Sequence, residues 1–124
     1  MSGNTTAAAI THPVQAQLDA YNARDIEAFM PWWTDDCEFY TFPSTLLARG
    51  VEQVRTRHLE RFKESNLQAT LVNRIVVDNL VVDQELVTRT FPEGAGEIDV
   101  VAIYLIENGK IAKAWYRMGT PRIA

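Results

Sequence analysis

The residue best suited to moving a proton in this chain is His58, an imidazole whose ordinary pKa lies near neutrality. It sits in the run VEQVRTRHLERFKE, where Val51, Val54, His58 and Phe62 recur at helical spacing while Glu52, Arg55, Arg57, Arg61 and Lys63 take the other side. That spacing turns His58 inward. An inward imidazole is either a hydrogen-bonded core group or the general acid or base of a cavity, and the sequence leaves both readings open. Around such a cavity Gln17, Tyr21, Thr41 and Tyr116 would bring an amide and hydroxyls able to hold a carbonyl or hydroxyl on an otherwise apolar ligand. Tyr104 has the same potential, although aromatic rings also serve simply to fill a core.

Carboxylates are fewer than such chemistry would like. Asp83 and Glu85 share a strand face with Val81, Val87 and Arg89 and stand about seven ångströms apart by strand rise. They are read as a solvated or cross-strand-paired face, with Arg74 on the neighbouring strand as partner, and alternatively as a relay with Arg89. Asp99 alternates with Ala102 and Tyr104, so it is expected to face solvent.

The elements that must position these groups fall in a simple order. Pro13 to about Asn22 reads as one helix, with Val14, Leu18 and Tyr21 on its apolar face and Gln17 beside them. Asp25 caps a second in which Ile26, Phe29, Met30 and Trp33 repeat at helical spacing, with Pro31 as a local conflict. The third carries His58. CEFYTF reads as a strand with Cys37, Phe39 and Thr41 on one face, and the stretch bracketed by Pro43, Ser44 and Gly50 as a loop. Four more strands are expected at Leu67–Val77, Leu80–Phe91, Ile98–Ile106 and Ile111–Met118, joined by Asp78-Asn79, by PEGAGE and by Asn108-Gly109. Asn-Gly between β-rich runs favours a tight type I′ hairpin. Helices followed by an antiparallel meander give an α+β fold with helices on one face of a curved sheet.

Composition bounds the function classes. The 124 residues suit one domain spanning 13–120, with a flexible segment 1–12 and a tail 121–124. A net charge of −4 with interspersed signs offers no basic stripe for nucleic acid. One cysteine, Cys37, and two histidines, His12 and His58, make a zinc site improbable, and no phosphate-cradling glycine loop implies a cofactor. The opening residues have no basic start and only the short apolar run Ala7 to Ile10, so neither a signal peptide nor a membrane span is expected and the cytoplasm is the default address. Trp115 alternates onto the outer sheet face, where a large exposed ring suggests a homodimer interface.

The order of elements, with YNARDIEAFMPWWTDDCEFY, an Arg-Gly before the third helix, RIVVDNLVVDQE and ENGKIAKAWYR, resembles the nuclear transport factor 2-like superfamily, and within it the SnoaL-like and steroid isomerase-like branch. The resemblance spans roughly residues 14 to 120. It implies a cone-shaped half barrel of mixed or antiparallel strands closed by three N-terminal helices around an internal pocket, commonly dimeric through the outer sheet face. His58, Thr41 and Tyr21 are then the candidate catalytic groups, and Gln17, Trp33, Phe39, Phe62, Ala102, Tyr104, Tyr116 and Met118 the candidate pocket lining. Against the ketosteroid isomerases of that branch, whose pKa tuning is a known pattern, the catalytic aspartate falls on Thr41. The oxyanion-hole tyrosine falls on Gln17, the protonated aspartate near Ala102 and the supporting tyrosine on His58. Nearer relatives read Asp at Thr41 and Asp-His-Glu at Asp83-Gln84-Glu85. The chain thus resembles the family without that isomerase's residues. It is expected to act on a small oxygenated apolar molecule by acid–base chemistry through His58, to bind such a molecule without turnover, or to serve as a dimeric interaction module.

Overall fold

A computed structural model describes the backbone of residues 3–124 and the side chains from residue 8 onward. Three helices cover one face of a seven-stranded sheet: α1 (Gly3–Ala23), α2 (Ile26–Phe29) and α3 (Gly50–Arg61). The strands are β1 (Trp33–Thr41), β2 (Thr45–Arg49), β3 (Gln68–Val77), β4 (Leu80–Phe91), β5 (Gly94–Glu107), β6 (Lys110–Met118) and β7 (Arg122–Ile123). Their order is β2-β1-β6-β5-β4-β3, with β7 added to β5. Only β1 and β6 run parallel, so the sheet is mixed, curved and unclosed, an α+β architecture.

Local chemistry explains the joints. Asn108 at φ 52° and Gly109 at φ 76° make the expected left-handed turn between β5 and β6. At the end of α1, Arg24 takes φ 52° and the Asp25 amide reaches back to the Ala20 carbonyl at 3.0 Å, closing the helix before Asp25 caps α2 through the Ala28 amide. Asn22 then behaves like a strand partner. Its amide donates to the Ala69 carbonyl at 2.9 Å and accepts from the Ala69 amide at 2.7 Å, fastening α1 to the edge strand β3. Beyond α3, Glu64 accepts from Arg61, from Arg89 and from the Thr90 amide, locking the helix end onto β4.

Several boundaries differ from expectation, each for a local reason. Helix α1 begins at Gly3 rather than Pro13; of the expected flexible segment 1–12, residues 1 and 2 lie outside the described residues and the rest is helical. Three consecutive alanines favour the helix, and Pro13 removes only one backbone bond within it. Pro31 converts the second helix to a 3-10 turn over Met30–Trp32, so Trp33 opens β1 instead of continuing a helical stripe. The stretch before α3 is a strand, β2, paired with β1. The PEGAGE connection shrinks because Gly94 to Glu97 extend β5, and the tail beyond Pro121 forms β7. There Gly96 matters, since a Cβ would collide with the Arg122 carbonyl oxygen.

The interior divides in two. One cluster gathers Val14, Phe29, Trp33, Phe39, Val54, Val81, Ala102 and Tyr104; the other gathers Leu18, Leu67, Ala69, Val87, Phe91, Ile98 and Val100. Tyr21, Phe62 and Tyr116 pack against both.

Candidate functional site

A cavity of about 440 Å³ lies between the helices and the concave face of the sheet, mainly beside the second cluster. Leu18, Ala69, Val87, Ile98 and Val100 form its apolar wall, and Gln17, Tyr21, His58, Glu85, Tyr104 and Tyr116 bring polar atoms to it. Its mouth carries Thr41, Phe42, Leu47, Arg57, Arg61 and Arg89.

Each polar group arrives by its element's periodicity. Helix α3 turns Val54 and His58 inward, and His58 is 6% exposed. Its Nδ1 stands 2.8 Å from the Val54 carbonyl oxygen, which can only accept, so Nδ1 carries the proton and Nε2 keeps a lone pair with no partner among the described residues. The ring packs against Phe29 at 4.6 Å and edge-on to Phe39 at 5.3 Å. Burial pushes its pKa down to about 4, against the helping bond to Val54, and Arg57 and Arg61 push the same way. At neutral pH His58 is therefore an uncharged acceptor.

Gln17 on α1 donates to the Val14 carbonyl at 3.1 Å and to the Tyr104 hydroxyl at 3.3 Å. The hydroxyls of Tyr104 and Tyr116 are 3.1 Å apart, and Tyr116 stacks on Phe39 at 4.6 Å. Burial raises the pKa of Tyr21, Tyr104 and Tyr116 well above the usual tyrosine value, helped next by Tyr116 at Tyr104 and by the charge of Glu85 at the other two, so all three keep their protons through the neutral range.

The carboxylates of β4 are the main correction to the sequence reading. Asp83 and Glu85 face the interior and are 0% and 5% exposed, not solvated. The sheet's curvature folds that face under α1. Asp83 is paired across strands as expected: Arg74 donates Nε to Oδ1 at 2.7 Å and Nη2 to Oδ2 at 2.9 Å, and its third nitrogen reaches Gln15 at 2.9 Å. Glu85 is not paired. Its Oε2 is buried without a hydrogen-bond partner, one of two such side-chain atoms among the described residues, the other being Trp33 Nε1. Burial, and next the charge of Asp83, raises the Glu85 pKa to about 7, with Arg74 opposing. The alternative reading, a relay with Arg89, does not form, because Arg89 is held by Glu64.

Of the sequence candidates, Gln17, Tyr21, Phe39, Thr41, His58, Tyr104, Tyr116 and Met118 line the cavity. Trp33, Phe62 and Ala102 do not. Trp33 is buried at the start of β1 against Phe29 and His58, and Phe62 packs edge-on to Tyr21 and Phe29 just past α3. Ala102, fully buried opposite Asp83 and Tyr116 in the sheet, is too short to reach the space. Asp99 faces outward as expected and pairs with Arg122 at 2.8 Å. Trp115 is half-buried, not free-standing, because it stacks on Tyr40 at 5.7 Å. Glu85 and the mouth arginines are what sequence reasoning missed. Among the described residues no three His, Cys, Asp or Glu side chains converge on a metal position, and no helix is long and apolar enough to cross a membrane.

This arrangement can hold a molecule of modest size in an apolar space and present to it a carboxyl poised between its two forms, tyrosine donors and a neutral imidazole acceptor. Known proteins share the framework. A family model described as a SnoaL-like domain matches residues 14–114. Among solved structures, an uncharacterized cystatin fold protein from Novosphingobium aromaticivorans is similar at 24% identity, with 86% of this chain and 96% of that one covered and a TM-score of 0.79. An LEH-like epoxide hydrolase from M. tuberculosis is similar at 12% identity, covering 90% and 84%, with a TM-score of 0.78. No curated protein matches the chain.

Proposed function

The chain belongs to the SnoaL-like domain family, and from that premise we propose that it binds a small, largely apolar carbonyl compound and moves a proton on it, with Glu85 as the proton carrier. The observation that carries this reading is Glu85, a buried residue that lines the cavity and whose Oε2 has no hydrogen-bond partner among the described residues. Leaving such a group unpaired costs stability unless a ligand completes it. A carboxyl with a pKa of about 7 is also matched to general acid–base work near neutral pH.

The roles then follow from chemistry. Ionised Glu85 takes a proton from the carbon next to a carbonyl and returns it elsewhere on the same skeleton, as isomerisation or aldol-type cyclisation requires. Negative charge developing on the carbonyl oxygen is met by the Tyr104 hydroxyl, whose own oxygen accepts from the Tyr116 hydroxyl at 3.1 Å. His58, with a depressed pKa of about 4, is a weak base, and its Nε2 serves to accept a hydroxyl of the ligand. The carboxylate of Glu85 replaces His58 as the proton carrier expected from the sequence.

The test is deuterium exchange at the carbon beside the carbonyl of 2-tetralone, followed by NMR in heavy water. The protein should accelerate exchange, with the rate rising through a pH of about 7 as Glu85 ionises. Glu85→Gln should bind the ketone and lose at least about a hundredfold in rate. Undiminished exchange by Glu85→Gln would overturn the assignment.

A further inference from the structure

The cavity's mouth is electrically lopsided, and this bears on what enters it. Arg57, Arg61 and Arg89 all line the opening and continue onto the adjoining surface groove. Glu64 stands 3.2 Å from both Arg61 and Arg89, so one carboxylate serves two guanidinium groups. Those side chains are held in place, 25% and 20% exposed. Arg57 has no acidic partner among the described residues; its guanidinium lies over the Phe39 ring, 5.4 Å from the centroid. Nearby Glu60 is occupied by Lys63 at 3.0 Å. Arg57, Arg61 and Arg89 thus face the one carboxylate of Glu64 at the rim of an apolar cavity whose lining also includes a fourth arginine, Arg117. Burial and the neighbouring Arg61 both disfavour the charge on Arg57, the setting in which an incoming anion gains most.

We infer that the ligand carries a carboxylate, held at the mouth by Arg57 with help from the Arg61 and Arg89 pair, while its apolar body reaches down the cavity toward Glu85 and Tyr104. This rests on the ligand-binding reading above and names the substrate class, an apolar carboxylic acid. The Arg57 guanidinium over the Phe39 ring makes no ion pair among the described residues, and the edge of a guanidinium matches a carboxylate in two parallel hydrogen bonds. The anchor also fixes direction. A ligand tied by its charged end at the rim can only offer its uncharged end to the buried carboxyl.

Two probes of one shape test this: naphthalene-2-carboxylate and naphthalene-2-carboxamide, titrated by calorimetry at pH 8 into the wild type and into Arg57→Met. The carboxylate should bind about tenfold more tightly than the amide. That preference should shrink at high salt and collapse in Arg57→Met, while amide affinity stays within about twofold. Because Arg57 lies largely at the surface and makes no ion pair among the described residues, and methionine keeps an apolar contact over Phe39, Arg57→Met should leave the fold intact, which a far-ultraviolet dichroism spectrum verifies. Equal binding of both probes by the wild type, or a preference that survives in Arg57→Met, overturns the anionic anchor and leaves the role of Glu85 standing. Failure of both probes to bind at millimolar concentration overturns both readings.

Discussion

Asp83 and Glu85 stand two residues apart on the same face of β4, both nearly inaccessible to water, and the protein treats them in opposite ways. Asp83 lies opposite Ala102 in the solid part of the interior, where Arg74 answers both its oxygens and Gln15 fixes Arg74 in turn. Glu85 lies opposite Val100, where the second cluster borders the cavity, and its Oε2 has no hydrogen-bond partner among the described residues. A carboxylate with a bidentate partner has a structural job. One left without a partner beside a cavity is kept at a cost to stability, and chemistry is the natural reason for keeping it. The difference separates the scaffold of this molecule from its site more sharply than distance from the surface does.

Breaking the pair tests the comparison at its strongest point. Asp83→Ala should lower unfolding free energy by about 3–5 kcal/mol in urea titrations, since it strands a largely buried guanidinium. Glu85→Gln should act with the opposite sign. Moving a carboxyl from its ordinary 4.5 to about 7 corresponds, at about 1.4 kcal/mol per pH unit, to on the order of 3 kcal/mol. That penalty is fully present above pH 7 and vanishes on protonation, so Glu85→Gln should be more stable than the wild type at pH 8 and indistinguishable from it near pH 4. Destabilisation at both positions would mean that Glu85 is structural as well.

His58 sharpens the same contrast. Between about pH 4.5 and 7 the folded chain keeps the Glu85 proton and the unfolded chain does not, so stability falls as pH rises. Between about pH 4 and 6.5 the unfolded chain protonates His58 and the folded chain does not, so stability falls as pH drops. The two slopes oppose each other where their windows overlap. The wild type should therefore be nearly flat from about pH 4.5 to 6.5, whereas Glu85→Gln should gain on the order of 3 kcal/mol from pH 4 to 6.5 as the histidine slope is unmasked. Parallel stability curves for the two proteins would show that the carboxyl is not perturbed.

Much of the scaffold was legible because it depends on local patterns. The stripe from Val51 to Phe62, the Asn108-Gly109 turn and the four β-rich runs all specify structure without reference to distant residues. Trp33 was misplaced because its spacing from Phe29 and Met30 suits a helix, while Pro31 stops that helix first. β2 and β7 were invisible for another reason. Each is an added strand whose neighbour supplies the pairing, and neither TLLAR nor RI alternates in burial. Glu85 was misread because both faces of β4 carry apolar residues: Val81 and Val87 on one, Leu80, Val82 and Leu86 on the other. Alternation says which residues share a face, not which face is inside. The register settles it, since Ala102, expected inward, is the partner of Asp83. That fact belongs to the pairing of two strands and is absent from either one alone.

The smallest effect compares apolar residues in the same two regions. Val54 is fully buried in the solid cluster, and Val87 lines the cavity at 6% exposure. Truncating Val54 to alanine removes two methyl groups and leaves a new void among neighbours that cannot collapse, a loss of about 2 kcal/mol. At Val87 one side of the residue already borders space, so fewer contacts are lost and the loss should be nearer 1 kcal/mol. The enlarged cavity should in turn accept a bulkier acid than naphthalene-2-carboxylate, a gain that Val54→Ala cannot give. Equal destabilisation by the two substitutions would mean that the hollow closes in solution when nothing fills it, and the space beside Glu85 would then have to be opened by its ligand.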